Sequence, residues 1–397
     1  MKIVTSCSEA ADTLQAFDEA AEKLGKFPAG GFSLVIAGYS ALHDSTVLAS
    51  EAREYFGDTP FLGSTSCMGV MTEKGFCSRD GHGLGLLALD DRQGAYGIGA
   101  VPMGNNPRQA AGEAVEKALD NAGRSGEMPA LVWLAAAPGQ EEAVLKGIEA
   151  VLGGDVPVLG GSSADNDVTG GWKQIAGGEV FDDAVVVVAM FPSVEVSHAF
   201  HSGYVPTRHT GIVTRANSRL LMEIDGRPAA EVYNDWAGGV VADFLNGGGN
   251  VLAQTTLYPL GRMAASIDGV PCYALSHPDS ITPEGFLTLF SEVREGEQVA
   301  LMSGSVDSLT SRAGRVAADA LSSGSMDADR ISGALAIYCA GCMLAVHSEM
   351  DKVVASINEV LDGHPFLGAF TFGEQGCFLT GQNQHGNLMI SFVVFGK

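Results

Sequence analysis

The chain has 397 residues, enough for two or three domains whose cores need neither disulfides nor metals. With 46% hydrophobic and 18% charged residues it is a globular sequence, too apolar to stay disordered. A formal net charge of −24, uninterrupted by any Lys/Arg run, argues against nucleic acid and anionic membrane surfaces as partners.

The N-terminus, Met1-Lys2-Ile3-Val4-Thr5, reaches Glu9 and Asp12 before an apolar stretch forms, and the longest later run, Ala184 to Phe191, is too short to span a bilayer. Seven scattered cysteines do not make a secreted disulfide framework, so a cytoplasmic location is expected.

In chain order, Phe32 to Ala37 reads as a buried strand, Val47, Leu48, Ala52 and Tyr55 recur at helical spacing, and a second strand ends in Pro60-Phe61-Leu62-Gly63. The same order returns with Ala130 to Ala135, a helix bearing Val144, Ile148 and Val151, and Pro157-Val158-Leu159-Gly160. It returns again with Ala334 to Tyr338, a helix bearing Val353, Val354, Ile357 and Leu361, and Pro365-Phe366-Leu367-Gly368. Each copy closes on an apolar strand: Leu84 to Leu89, Ala184 to Phe191, and Leu388 to Phe395. Helical stretches, Ala110 to Ala122 and Ala313 to Leu321, precede the second and third copies. Such self-similarity marks a repeated unit of about 100 residues.

Strand-helix-strand order favours parallel pairing, and the closing strands favour antiparallel addition. The expected fold class is therefore α/β, with repeated strand-helix-strand units forming mixed sheets covered by helices, in two halves. Residues 1–200 would hold two copies, and 201–397 a hairpin-containing segment plus the third. Gly211 to Gly226, with turn residues at Ala216-Asn217-Ser218, reads as the hairpin. Pro259-Leu260-Gly261 falls midway between copies two and three, but the elements before it do not match, and coincidence is the better reading than a degenerate fourth copy.

These residues resemble a known family. Leu62-Gly63-Ser64-Thr65-Ser66 is similar to the N-terminal FIST domain. Glu223-Ile224-Asp225-Gly226, Pro228-Ala229, Tyr233, Leu257-Tyr258-Pro259-Leu260-Gly261, Gly373-Glu374 and Asn387 resemble the C-terminal FIST domain. The resemblance implies a sensory module for small ligands, with one branch binding haem and reporting nitric oxide to histidine kinases. With both halves assigned, no output segment remains in the chain. The expected partner is then a histidine kinase or other signalling protein in trans, and a homodimer is allowed.

Ligands of open α/β sheets gather at strand ends, where the loops carry Ser64-Thr65-Ser66, Ser162-Ser163-Ala164-Asp165 and Thr371-Phe372-Gly373-Glu374. Ser64 and Ser162 serve equally as turn residues. Glu374, a carboxylate in a Gly-flanked apolar segment, needs a partner or solvent and reads as ligand-binding. His43 and His347 occupy equivalent positions past a strand in copies one and three, and His82 and His385 form a second equivalent pair. If haem is the cofactor, His347, after the apolar Met343-Leu344-Ala345-Val346, is the expected iron ligand, with His385 and His43 as further candidates. His198 and His201 would point to opposite faces of a strand and make no metal pair.

Cys339-Ala340-Gly341-Cys342 follows a strand and precedes a helix, as a redox dithiol would. Thiol-disulfide exchange through Cys339 and Cys342 is therefore the alternative function. A nucleophile elbow, a zinc-protease motif, a phosphate loop and a dinucleotide fingerprint are all missing, so a binding protein is expected in preference to an enzyme.

Overall fold

A computed structural model describes residues 1–25, 28, 31–267 and 270–397. The three copies are built alike. In each, the first and second strands pair in parallel: Leu34–Tyr39 with Phe61–Thr65, Leu131–Ala136 with Val158–Ser162, and Ile331–Cys339 with Phe366–Thr371. The closing strands Leu84–Asp90, Ala184–Phe191 and Ile390–Gly396 add antiparallel to the first strand. A leading strand then flanks each closing strand: Lys2–Ser8, Ala95–Pro102 and Val196–His201.

Two helices cover the outer face of each sheet. The helices after the first strands, Ser45–Phe56, Glu141–Leu152 and Met350–Leu361, fall where the periodicity placed them. The preceding helices are Thr13–Lys23, Pro107–Asn121 and Val306–Ser323, capped by Asp12, Asn106 and Ser305 respectively. The one before the first copy was not expected from sequence.

The strands are apolar throughout because both faces are buried. Along Leu34–Tyr39, Leu34 and Ile36 enter an inner core shared by all three sheets, while Val35, Ala37 and Tyr39 meet the helices. Leu131 and Trp133 in the second copy, and Leu335 and Ile337 in the third, join the same inner core.

The last two strand positions of each six-stranded sheet are filled by exchange. Each sheet is completed by a hairpin from another copy: Gln174–Phe181 of copy two on sheet one, Glu374–Gly386 of copy three on sheet two, and Val70–Cys77 of copy one on sheet three. The motif glycines lie at these seams. A Cβ on Gly63 would stand 3.1 Å from the Ile175 Cβ, and one on Gly368 would stand 2.6 Å from the Met71 Cε. The closing glycines Gly63 and Gly368 thus make room for the visiting hairpin, whereas a Cβ on Gly160 would meet the Leu134 backbone of its own copy.

Between the third leading strand and its helix lies an antiparallel insert, from Val205–Asn217 to Gln298–Ser303, with its own core around Val213, Leu221, Ile224, Tyr233 and Leu287. The expected hairpin is present as Val205–Asn217 against Leu220–Ile224. Pro259-Leu260-Gly261 leads into the strand Leu260–Ile267 of this insert, so there is no fourth copy. Among the described residues no helix is long and apolar enough to cross a membrane.

Candidate functional site

The first strands of copies two and three are followed by Pro138-Gly139 and by Ala340-Gly341 respectively. Between these ends lies a largely apolar cleft of about 260 Å³, roofed by Arg219, Leu252, His277 and Phe290 of the insert. Trp172 and Phe372, ring centroids 6.2 Å apart, form one wall. The loops converge because the backbone stitches them: Ser162 N–H donates to Gly373 O at 2.8 Å, and Phe372 N–H donates to Ser162 O at 3.1 Å.

Polar groups gather at two points. At one, Arg219 Nη2 lies 2.5 Å from Glu141 Oε2 and 2.8 Å from Glu142 Oε2, clamping the insert to copy two. Glu141 is 3% exposed and also accepts from Ser162 Oγ at 2.8 Å and Gly139 N–H at 3.0 Å. Burial would raise its pKa, but His385 and Arg219 hold it below the ordinary carboxylate range. The same balance brings Glu142 down to about 2.

At the other point, Asn387 is 2% exposed, and its Oδ1 accepts from His277 N–H at 3.3 Å. Its Nδ2 is buried with no hydrogen-bond partner, and the residue lines the cleft. A buried amide donor without an acceptor is costly unless something occupies the cleft to receive it. His277 Nε2 lies 3.2 Å from Leu252 O, and burial lowers this imidazole to about 4, so the ring is neutral with its proton on Nε2.

The nominated residues take several places. Ser162 stands behind the cleft, against Glu141. Glu374 is fully buried and also lies behind it, accepting from Thr371 Oγ1 at 3.0 Å and Met389 N–H at 2.9 Å. Both of its oxygens are thus engaged within the chain, and burial drives its pKa well above the ordinary value. Ser64 pairs with Ser163 Oγ at 2.8 Å and faces a small cavity between the three sheets. His385 bridges Gln375 Nε2 and Phe290 O, each at 3.2 Å, beside a separate surface cavity. His43 is buried in copy one, 5.7 Å from the His82 ring, and burial lowers it to about 4. His347 is exposed and packs edge-on to Phe76, 5.3 Å away, outside the cleft.

These positions do not fit a haem. His347 and Glu374 do not meet across a common pocket, and the cleft lies below the usual range of about 300–1,000 Å³ even for drug-sized ligands. Sequence reasoning missed Arg219, His277 and Glu141, and it read Asn387 only as a family signature. Arg219 sits beside the expected hairpin turn, but nothing local shows that the turn meets copy two.

The molecule is thus an α/β ligand-binding protein of three hairpin-exchanging copies, with its cleft roofed by an insert. Residues 33–227 match the FIST N domain and residues 229–377 the FIST C domain, and the chain belongs to the FIST family, whose domains are sensory small-ligand-binding domains of signalling proteins. An uncharacterized protein of Methanocaldococcus jannaschii is 33% identical over 78 residues, which are 20% of this chain and 15% of that protein. A solved cyanuric acid hydrolase aligns over 100% of this chain and 99% of its own, at 10% identity and TM-score 0.38. A second such hydrolase, from A. caulinodans, aligns over 61% of this chain and 90% of its own, at 12% identity and TM-score 0.32.

Proposed function

We propose that this chain is a cytoplasmic sensor whose ligand is a compact, flat, uncharged molecule held in the cleft between copies two and three. The unpartnered Asn387 Nδ2 carries this reading, because it asks for an acceptor atom on the ligand. Trp172, Phe290 and Phe372 supply apolar and aromatic walls. Arg219 is already neutralised by two carboxylates, which leaves it little capacity to hold an anionic ligand. Filling the cleft would alter how the Arg219 clamp seats the insert on copy two, and that change of surface would be read by a partner in trans, a histidine kinase being the expected class. Thermal unfolding with nicotinamide, uracil and indole at millimolar concentration tests this. The amide and the pyrimidine, which offer a carbonyl acceptor, should raise Tm more than indole, which has none, and Asn387→Ala should weaken their binding about tenfold. Equal shifts in wild type and Asn387→Ala, or none with any probe, would overturn it.

A further inference from the structure

Arg312 is fully buried, donates from Nη1 to Ser202 O at 2.7 Å and Leu388 O at 2.9 Å, and leaves Nε and Nη2 without partners. Its guanidinium lies 4.8 Å from the Tyr338 ring centroid and 5.5 Å from that of Tyr204. Among the described residues no carboxylate forms a salt bridge with it. Glu374 feels its charge, but burial drives that acid toward its protonated form. An uncompensated buried cation is strongly unfavourable, so an anion is needed beside it.

The Cys339–Cys342 pair supplies one. Cys339 ends its strand and lines the cleft, and Cys342 lies buried one turn on, three residues along the same Cys-x-x-Cys segment. The Tyr204 hydroxyl is 3.5 Å from the Cys342 Sγ. We infer that Cys339 and Cys342 form a redox-active dithiol that exchanges with small disulfides entering the cleft, with Arg312 as the counter-charge of the Cys342 thiolate.

The electrostatics agree. Burial would push the Cys342 thiol up, but the hydrogen bond from Cys339, the Arg312 charge and the Tyr204 hydroxyl bring it down to about 6, while Glu374 and Tyr338 stay uncharged nearby. Burial and then its contact with Cys342 hold Cys339 well above the ordinary thiol value. Reaction therefore starts when Cys342 takes the Cys339 proton. The Cys339 thiolate attacks one sulfur of the incoming disulfide, forming a mixed disulfide and expelling one small thiolate. That thiolate takes the proton back from Cys342, whose thiolate attacks the Cys339 Sγ, closes the Cys339–Cys342 bond and expels the second small thiolate. Two electrons pass from the protein dithiol to the small disulfide, which leaves as one thiol and one thiolate.

The inference uses the cleft only as an entry path and does not depend on which ligand the sensor takes. Folded, reduced protein is incubated with bis(2-hydroxyethyl) disulfide, acid-quenched and mapped by non-reducing peptide mass spectrometry. The expected products are a Cys339–Cys342 disulfide reversed by dithiothreitol in wild type and, in Cys342→Ser, which loses the base as well as the resolving thiol, a hydroxyethyl mixed disulfide that forms more slowly and stalls on Cys339. Arg312→Met, if it folds, should slow the reaction at least tenfold. Should Cys339 and Cys342 remain thiols in folded wild-type protein while the half-buried Cys7 and Cys272 react, the inference is wrong. A protein that forms the disulfide yet binds none of the ligand probes would refute the ligand reading alone.

Discussion

The three-copy body and the insert obey different rules. In the body the four sheet strands, the two covering helices and the lent hairpin each occur three times, so each copy follows one plan. The insert occurs once, between Val196–His201 and Val306–Ser323, and breaks the equivalence of the three seams. Among the described residues, Arg219, Leu252, His277 and Phe290 of the insert roof the seam between copies two and three. Repetition therefore builds the scaffold and the walls of the cleft, and the single unrepeated segment supplies its roof.

The largest effect should come from the scaffold. A Cβ on Gly160 would stand 2.0 Å from the Leu134 carbonyl oxygen, a backbone atom that cannot step aside, so Gly160→Ala should cost on the order of 3 kcal/mol or abolish folding. Gly63→Ala, facing the Ile175 side chain at 3.1 Å, should cost about 1 kcal/mol. Urea denaturation measures both, and equal costs would mean that the motif glycines do not differ as the seams suggest. Next comes the clamp. Arg219→Ala leaves the buried Glu141 unpaired and should cost about 3 kcal/mol, with faster proteolysis inside the insert than in the body. Uniform proteolysis would deny the clamp its role.

The body was legible because its signals are local and repeated. Pro-x-Leu-Gly, doubly buried strands and helix periodicity recur near Pro60, Pro157 and Pro365. The exchange of hairpins was not legible, since Gln174, Val70 and Glu374 pair across about 100 residues or more and no pattern within one copy names its host. The site was half legible. The strand-end rule led to the loops of Ser64, Ser162 and Thr371, and the Cys-x-x-Cys motif led to Cys339. The nominated serines and Glu374 proved to stand behind or away from the cleft, while Arg219 and His277 reach it from an insert whose placement is wholly tertiary.

Smaller effects sharpen the contrast between supporting and lining groups. Glu374→Gln, which can still receive Met389 N–H and meet Thr371 Oγ1, should cost less than about 1 kcal/mol and leave ligand shifts unchanged, whereas Glu374→Ala should cost about 2 kcal/mol by orphaning that N–H. Loss of ligand shifts in Glu374→Gln would move this residue into the site. His277 titrates near 4 when folded against 6.5 when unfolded, so its contribution is intact above pH 6.5 and is lost as pH falls toward 4. The loss should be at most about 1.4 kcal/mol per pH unit across that window. His43 acts in the same direction and Glu374 in the opposite one. The His277 share is therefore read as the difference between wild type and His277→Gln, which should show a shallower acid-side decline. Identical pH profiles would show that His277 is not held neutral by its surroundings.

The cleft itself is tested most directly by Trp172, which lines it, while Trp133 lies in the inner core. Titrating the protein with the probe that most raises Tm should change tryptophan emission saturably, at the concentration that shifts Tm, and Trp172→Phe should abolish the change. An emission change that survives in Trp172→Phe, or stabilisation with no change at Trp172, would place the ligand elsewhere and contradict a binding site at the seam of copies two and three.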